Sequence, residues 1–182
     1  NTKTLAAIDI GTNAIRLFIS NVEEYPTETL FKKIAFLRVP IRLGEDVFTT
    51  GEIGQQKGKR LCETMQGFSY IMSAFNVESY KAYATCAMRE ARNGKSVAEQ
   101  IQKECDLNIE IISGTKEAET IFAGGMNEVV DDDKTYLYVD VGGGSTEVIV
   151  YSKSVKVEAC SFPLGTVRML NDAVDKEEMK HF

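Results

Sequence analysis

The sequence predicts an α/β fold built from two copies of one motif, because the same hairpin pattern occurs twice. The first copy is Ala7-Ile8-Asp9-Ile10-Gly11-Thr12-Asn13, and the second is Tyr138-Val139-Asp140-Val141-Gly142-Gly143-Gly144-Ser145-Thr146. In each, an apolar run ends in an aspartate, a Gly/Thr or Gly/Ser turn follows, and a second apolar run completes the hairpin. We therefore expect a duplicated α/β architecture, with mixed sheets and flanking helices, divided into domains 1–128 and 129–182.

The first half of the chain contains the signals of three strands followed by a helix, a strand and a helix. Apolar residues recur at helical spacing from Gln55 to Phe75, which favours an amphipathic helix. The segment around Ile41 to Asp46 loses its period, and Thr50 to Ile53 predicts a turn. The other predicted elements are a hairpin over Leu5–Asn21, strands over Leu30–Val39 and Ser79–Ala84, a loop over Thr85–Arg89 and a helix over Lys95–Cys105.

The second half repeats the beginning of this pattern. A short strand over Asn108–Ile112 and a helix over Lys116–Asn127 precede the acidic stretch Asp131–Asp133, which we interpret as a solvated connection. A second hairpin over Thr135–Ser152 and a strand over Val155–Phe162 follow. The chain starts at Asn1 and ends in a helix-like run soon after the second hairpin. We therefore expect it to be part of a longer protein, with its second domain incomplete.

Composition narrows the function classes. The chain has 182 residues, of which 43% are hydrophobic and 26% are charged, as in soluble globular proteins. It lacks an apolar run of roughly 20 residues, the length needed to span a bilayer, and a signal segment, so we expect a cytoplasmic protein. The net charge of −6 argues against binding nucleic acid or membranes through a basic face. Four scattered cysteines and one histidine offer little to a zinc cluster, and we expect reduced thiols.

The two hairpin tips have the composition of phosphate-binding loops. Glycine lets the backbone approach an anion closely, and turn N–H groups and hydroxyls donate hydrogen bonds to it. Three consecutive glycines lose much backbone entropy when they become ordered, so an ordinary hairpin rarely contains them. The alternative is that they form a merely flexible turn. The predicted phosphate-binding residues of the tips are Gly11, Thr12 and Asn13 in the first and Gly142, Gly143, Gly144, Ser145 and Thr146 in the second.

Charged residues beside the tips complete a candidate site. Asp9, Asp140 and Glu147 could hold Mg²⁺, because hard cations prefer carboxylate oxygens. The alternatives are a turn-capping role for each aspartate and an outward strand position for Glu147. Arg16 and Arg89 suit bidentate phosphate contact, with surface solvation as the alternative. Arg92 and Arg168 are weaker candidates. Basic residues in the first domain could begin a tract along the cleft, or could form a solvated strand face: Lys32, Lys33, Arg38 and Arg42.

Six segments, in order along the chain, resemble the exopolyphosphatase and guanosine pentaphosphate phosphatase family, within the acetate and sugar kinase/Hsp70/actin superfamily. They are Ala7–Leu17, Ile41–Glu45, Thr85–Asn93, Ile112–Glu119, Asp140–Glu147 and Pro163–Arg168. The resemblance implies duplicated ribonuclease H-like (actin-like ATPase) domains. It also implies that Glu117 is the catalytic base, whereas its position alone favours a carboxylate stabilised by a helix dipole. Glu119, two residues on, is expected to be a surface charge.

The resemblance implies a phosphohydrolase that releases terminal phosphate from inorganic polyphosphate or guanosine pentaphosphate. In this hypothesis water attacks with the help of Mg²⁺ and is oriented by Glu117. A non-catalytic phosphate or nucleotide sensor, and a kinase-like member of the superfamily, are the alternatives. Relatives of this type imply a homodimeric parent protein, and we expect weak or no turnover from these 182 residues alone.

Overall fold

The computed structural model describes residues 2–123, 134–152 and 155–174, and its first part contains a mixed five-stranded sheet. The strands are β1 (Thr2–Ile10), β2 (Ile15–Glu24), β3 (Thr29–Val39), β4 (Ser79–Ala84) and β5 (Glu110–Ile111), in the order β3-β2-β1-β4-β5. Strands β1, β2 and β3 pair antiparallel, whereas β4 pairs parallel to β1 and β5 parallel to β4. The predicted mixed sheet is therefore confirmed.

Alternating side chains explain why β1 and β2 form the centre of this sheet. Ile8, Ile10, Ile15, Leu17 and Ile19 are at most 2% exposed and face the main core. The intervening residues point to the other face of the sheet, as the period of two in a strand requires. That second face carries the polar residues of the candidate site.

Six helices accompany the strands in the part of the chain that the structure describes. They are α1 (Leu43–Thr50), α2 (Gln55–Ala74), α3 (Cys86–Glu90), α4 (Gly94–Cys105), α5 (Gly114–Ala123) and α6 (Thr166–Leu170). The helical spacing predicted for α2 is confirmed, since Leu61, Met65, Phe68 and Met72 are buried along one side. Helices α2 and α4 pack together over the buried face of the sheet.

Several local predictions need correction. Residues 43–50 form α1, where the sequence indicated only a loss of period. The segment predicted as a loop over Thr85–Arg89 instead contains α3 from Cys86. The predicted strand over Asn108–Ile112 shortens to Glu110–Ile111, and α5 begins two residues before the predicted Lys116. The N-cap residue of α1 is Arg42, which is not a typical start signal, and Thr85 before α3 is of a favoured type but makes no side-chain N-cap bond.

The second sheet repeats the order of the first three strands. It consists of β6 (Thr135–Val141), β7 (Thr146–Ser152) and β8 (Val155–Phe162), all antiparallel. Helix α5 packs on β7 and β8 through buried Ala118, Ile149 and Tyr151. The predicted domain boundary at 128/129, the acidic stretch Asp131–Asp133 and the helix-like end after residue 174 lie outside the described residues. No helix in the described ranges is long and apolar enough to cross a bilayer.

Candidate active site

The two hairpin tips meet at one cavity. Loop 1 (residues 11–14) joins β1 to β2, and loop 2 (residues 142–145) joins β6 to β7. Both line a cavity of about 690 Å³. Its lining includes every predicted site residue except Arg89 and Thr146, namely Asp9, Gly11, Thr12, Asn13, Arg16, Glu117, Asp140, Gly142, Gly143, Gly144, Ser145 and Glu147.

The glycines of loop 2 are explained by close packing between the two loops. An added Cβ at Gly144 would lie 2.5 Å from Cys86 Sγ and 2.9 Å from Thr12 Oγ1. One at Gly143 would lie 3.1 Å from the Thr12 side chain. Neither residue has a positive φ angle, so available space and not backbone freedom requires glycine here. Loop 2 is therefore a packed element, and the flexible-turn alternative is disfavoured.

Each loop is hydrogen-bonded to the start of its own short helix, α1 for loop 1 and α6 for loop 2. The amides of Gly44 and Arg42 donate to the carbonyl oxygens of Thr12 and Asn13, at 3.0 and 2.9 Å. In loop 2, the amides of Thr166 and Val167 donate to the carbonyl oxygens of Gly142 and Gly143, at 3.0 and 2.8 Å. These hydrogen bonds engage four of the carbonyl oxygens of the two loops with protein donors. The cavity side of each loop is thus suited to donors.

The two hairpins differ in the charge of one cross-strand residue pair. Asp9 lies opposite Arg16, and the two form an ion pair with a nitrogen–oxygen distance of 2.5 Å. At the same place in the second hairpin, Asp140 lies opposite Glu147. Partial burial raises the pKa of Asp9, with a further rise from Asp140, while Arg16 acts in the lowering direction. The two hairpin aspartates are therefore electrostatically coupled across the cavity.

Glu117 occupies the first turn of α5 and points into this cavity. Its amide donates to the Ser113 carbonyl oxygen at 2.9 Å, and its side chain is 19% exposed. Burial raises the pKa of Glu117 to about 7, with a smaller contribution from the Glu147 carboxylate, while Arg89 opposes the rise. A carboxyl group with a pKa near neutral pH is suited to take up a proton during a reaction.

Arg89 and Thr146 lie behind the cavity wall. Arg89 Nη1 is 3.5 Å from Glu117 Oε2 and donates to the Ile112 carbonyl oxygen at 2.7 Å. This arrangement holds Glu117 at the N-terminus of α5. Thr146 Oγ1 donates to the Leu164 carbonyl oxygen at 2.6 Å and is buried. Both residues therefore support side chains and loops that line the cavity.

Glu147 is buried and held by a residue that the sequence did not indicate. It is 2% exposed, which disfavours the outward strand position considered above. Ser161 Oγ on β8 donates to Glu147 Oε1 at 2.9 Å. Ser161 also touches the start of α5, since an added Cβ at Gly114 would lie 2.5 Å from it. Ser161 lies directly opposite Glu147 in the pairing of β7 with β8, a register that the predicted strands alone do not specify.

The carboxylates around the cavity fit a cation bound mainly through water and substrate. Within the described residues, no group of three or more His, Cys, Asp or Glu side chains is arranged to hold a metal by itself. Mg²⁺ in phosphate sites commonly uses one or two carboxylates plus water and phosphate oxygens. Asp140 raises the pKa of Asp9, and Glu147 and Asp9 raise that of Glu117, so a cation would relieve a shared repulsion. The donor set is therefore compatible with the predicted Mg²⁺.

Comparison with known proteins agrees with this arrangement. Residues 18–181 match the model of the Ppx/GppA phosphatase family. A bifunctional 3-dehydroquinate synthase/phosphatase of Fusobacterium nucleatum is 32% identical over 90% of this chain and 25% of its own length. Exopolyphosphatase 2 of Mycobacterium tuberculosis is 28% identical over 91% of this chain and 53% of its own.

A crystal structure of an exopolyphosphatase from Cytophaga hutchinsonii superposes with a TM-score of 0.84 at 29% identity, over 93% of this chain and 53% of that one. This likeness confirms the predicted actin-like α/β fold. The chain spans between a quarter and about half of the length of these relatives. Its sequence, its fold and the match over residues 18–181 together show that the chain belongs to the Ppx/GppA phosphatase family.

Proposed function

We propose that this chain provides the reaction centre of a hydrolase that releases the terminal phosphate of inorganic polyphosphate or of guanosine pentaphosphate. The observation that supports this most strongly is the position of Glu117, a carboxylate with a pKa of about 7 in a cavity between two anion-binding loops. A protein that only bound phosphate would need the loops but not a poised proton acceptor beside them.

The two loops bind the terminal phosphates from opposite sides. Backbone N–H groups and the hydroxyls of Thr12 and Ser145 donate to phosphate oxygens, and Arg16 adds positive charge from the wall of the cavity. Because the loops are packed and held from behind, these donors do not need to reorganise during the reaction. Preorganised donors of this kind stabilise the charge of a transferring phosphoryl group.

Glu117 accepts a proton from the attacking water. The water oxygen forms a bond to the terminal phosphorus, the bridging phosphorus–oxygen bond breaks, and the shortened chain leaves with the bonding electrons. Arg89, 3.5 Å from Glu117, keeps the carboxylate oriented and limits the rise of its pKa. The released product is orthophosphate.

Asp9, Asp140 and Glu147 are the residues that would hold Mg²⁺ in this cavity. When bound, Mg²⁺ would neutralise charge on the phosphate oxygens and on the leaving chain. Glu147 contributes most directly among them, since Ser161 fixes its carboxylate and no Lys or Arg in the described part of the chain forms an ion pair with it, as Arg16 does with Asp9.

The test is phosphate release by the full-length natural protein with Mg²⁺, using long-chain polyphosphate and guanosine pentaphosphate. Glu117→Gln should lower kcat by about 10²- to 10⁴-fold while substrate binding stays unchanged. The matched control is Glu119→Gln, an exposed residue two positions along the same helix, which should behave like the wild type.

The two substrates and the products separate the alternatives. The faster substrate identifies the specificity of the natural protein. Binding of either anion without release would replace the hydrolase by a sensor. Consumption of ATP with phosphorylation of an acceptor would replace it by a kinase.

A further inference from the structure

Arg168, on α6, is a buried cation with contacts on both sides of the cleft. It is 8% exposed. Its Nε donates to the Gly144 carbonyl oxygen at 2.8 Å, and its Nη2 lies 2.6 Å from Glu90 Oε1 and 3.4 Å from Cys86 Sγ. The guanidinium carbon lies 4.3 Å from the centre of the Phe48 ring. Burying a charge is unfavourable unless it is paired and hydrogen-bonded, and these contacts satisfy that requirement.

The partners of Arg168 belong to different parts of the fold. Gly144 is in loop 2, whereas Phe48 is on α1 and Glu90 is on α3, both beside the first sheet. The start of α1 holds loop 1, through the Gly44 amide on the Thr12 carbonyl oxygen. One side chain therefore connects loop 2 to the helix that holds loop 1.

The guanidinium is not needed to attach α6 to loop 2. The backbone amides of Thr166, Val167 and Arg168 already donate to the carbonyl oxygens of Gly142 and Gly143, at 2.8 to 3.1 Å. The long side chain adds the contacts to Glu90, Cys86 and Phe48. Neighbouring Val167 makes apolar contacts near Gly44 and Gly143, so the specific contribution of Arg168 is the polar connection from loop 2 to Glu90 and Cys86 on α3.

The connection matters because the loops are in direct contact. An added Cβ at Gly144 would lie 2.8 Å from the Phe48 ring, so loop 2 has no room to move toward α1. Movement in the other direction would separate the donors of the two loops and is opposed by the Arg168–Glu90 ion pair. Misplacing reacting groups by about 1 Å can lower a rate by about 10²-fold.

We propose that Arg168 is a positioning residue, whose guanidinium fixes the separation of loops 1 and 2 by bonding Gly144 and Glu90 together. Arg168 does not line the cavity and acts through the loops. The expected effect of Arg168 on the rate rests on the proposed function, whereas its expected effect on the separation of the loops does not.

The kinetic test uses the full-length natural protein with Arg168→Lys, Glu90→Gln and the double variant. Lysine keeps the charge but cannot bond Gly144 and Glu90 in the fork geometry of a guanidinium. Each single variant should lower kcat for phosphate release by about 10- to 100-fold, with a much smaller change in KM. The double variant should be no slower than the slower single variant, because both break one connection. The control is Arg60→Lys, an exposed position on α2.

The geometric test does not depend on turnover. Spin labels on Lys33→Cys of β3 and on the native, exposed Cys160 of β8 report the separation of the two sheets. The distance distribution should be narrow in the wild type and broader in Arg168→Lys and Glu90→Gln. If the wild type releases no phosphate but the distances still broaden in the variants, the proposed function is refuted and the positioning role is supported. Unchanged distances, or unchanged kcat in folded variants of an active enzyme, would overturn the positioning role.

Discussion

The two hairpins have the same strand–loop–strand arrangement, but the residue opposite the aspartate has the opposite charge in each. Opposite Asp9 the first hairpin has Arg16, whereas opposite Asp140 the second has Glu147. The next strand continues the difference, because Arg16 lies beside Arg38 and Glu147 lies beside Ser161. The first wall of the cleft is therefore cationic next to its aspartate, and the second wall carries two carboxylates. We infer a partial division of tasks between the duplicated walls: Arg16 adds a cation for phosphate binding on the first, and the second supplies two of the three carboxylates proposed to hold Mg²⁺.

The features that the two hairpins share concern the support of the loops. Leu43-Gly44 begins α1 behind loop 1, and Leu164-Gly165 precedes α6 behind loop 2. An added Cβ at Gly44 would lie 2.4 Å from Thr12 Cγ2, and one at Gly165 would lie 2.5 Å from the backbone of Gly143. The close approach of a helix start to a loop is thus common to both copies, while the charges have diverged.

The largest predicted effect is a loss of phosphate-release rate when the second wall is changed. Glu147→Gln should lower kcat by about 10²- to 10³-fold and raise the Mg²⁺ concentration needed for half-maximal rate, because the buried carboxylate next to Asp140 is lost. Phosphate-release rates over a Mg²⁺ titration measure both effects. Glu158→Gln, an exposed change on neighbouring β8, is the control. A normal Mg²⁺ requirement in Glu147→Gln would show that the walls do not divide their tasks in this way.

The shared glycines should matter for stability. Gly44→Ala and Gly165→Ala should each lower the free energy of unfolding by about 1–3 kcal/mol, since the new methyl group meets Thr12 in one case and the Gly143 backbone in the other. Urea unfolding measures this change. Gly67→Ala, inside α2 with open space around its Cβ, should instead stabilise by about 0.5–1 kcal/mol. Equal tolerance of all three substitutions would contradict the packing explanation.

These comparisons also show what the sequence could and could not predict. The strands of both hairpins and helix α2 follow from local periodicity, because their burial patterns repeat every two or about 3.6 residues. Helices α1 and α6 were not predicted, since their first amides bond to loop carbonyls distant in sequence.

The residues of the candidate site likewise fall into those that a local sequence pattern predicts and those that it does not. The glycine loops and their aspartates are visible as a local pattern, but Glu117 was assigned through family resemblance and not through its own position on a helix. The sequence gives little indication of a role for Arg168, because its partners Cys86 and Glu90 lie 82 and 78 residues away along the chain. No local pattern predicts contacts at that separation.

A smaller effect concerns the pH dependence of stability without metal. The folded state raises the pKa of Glu117 from 4.5 to about 7, so folded protein retains this proton at a higher pH than unfolded protein does. The resulting stabilisation is present below pH 4.5 and is lost as pH rises to about 7. A shift of that size corresponds to about 3 kcal/mol, and screening of the partly exposed carboxyl group by solvent should reduce the loss to about 1–2 kcal/mol. Unfolding in EDTA across this range should show a slope for wild type and Glu119→Gln that is reduced in Glu117→Gln. An identical slope in all three would contradict the raised pKa.

The smallest predicted effect is on the first wall. Arg16→Gln should raise KM about three- to tenfold, by roughly 1 kcal/mol of binding, with little change in kcat, because Arg16 is partly exposed and already paired with Asp9. The exposed Arg60 on α2 provides the control as Arg60→Gln. A large fall in kcat with unchanged KM would assign Arg16 to the chemical step instead of phosphate binding.

The central claim, that water oriented by Glu117 attacks the terminal phosphorus, is tested most directly by hydrolysis in ¹⁸O-labelled water. Orthophosphate released from polyphosphate by the full-length natural protein should carry one ¹⁸O atom from the solvent, and Glu117→Gln should form this product far more slowly. Released phosphate without the label would mean that water attacks another phosphorus atom or that release does not use water directly, and either result would contradict the account.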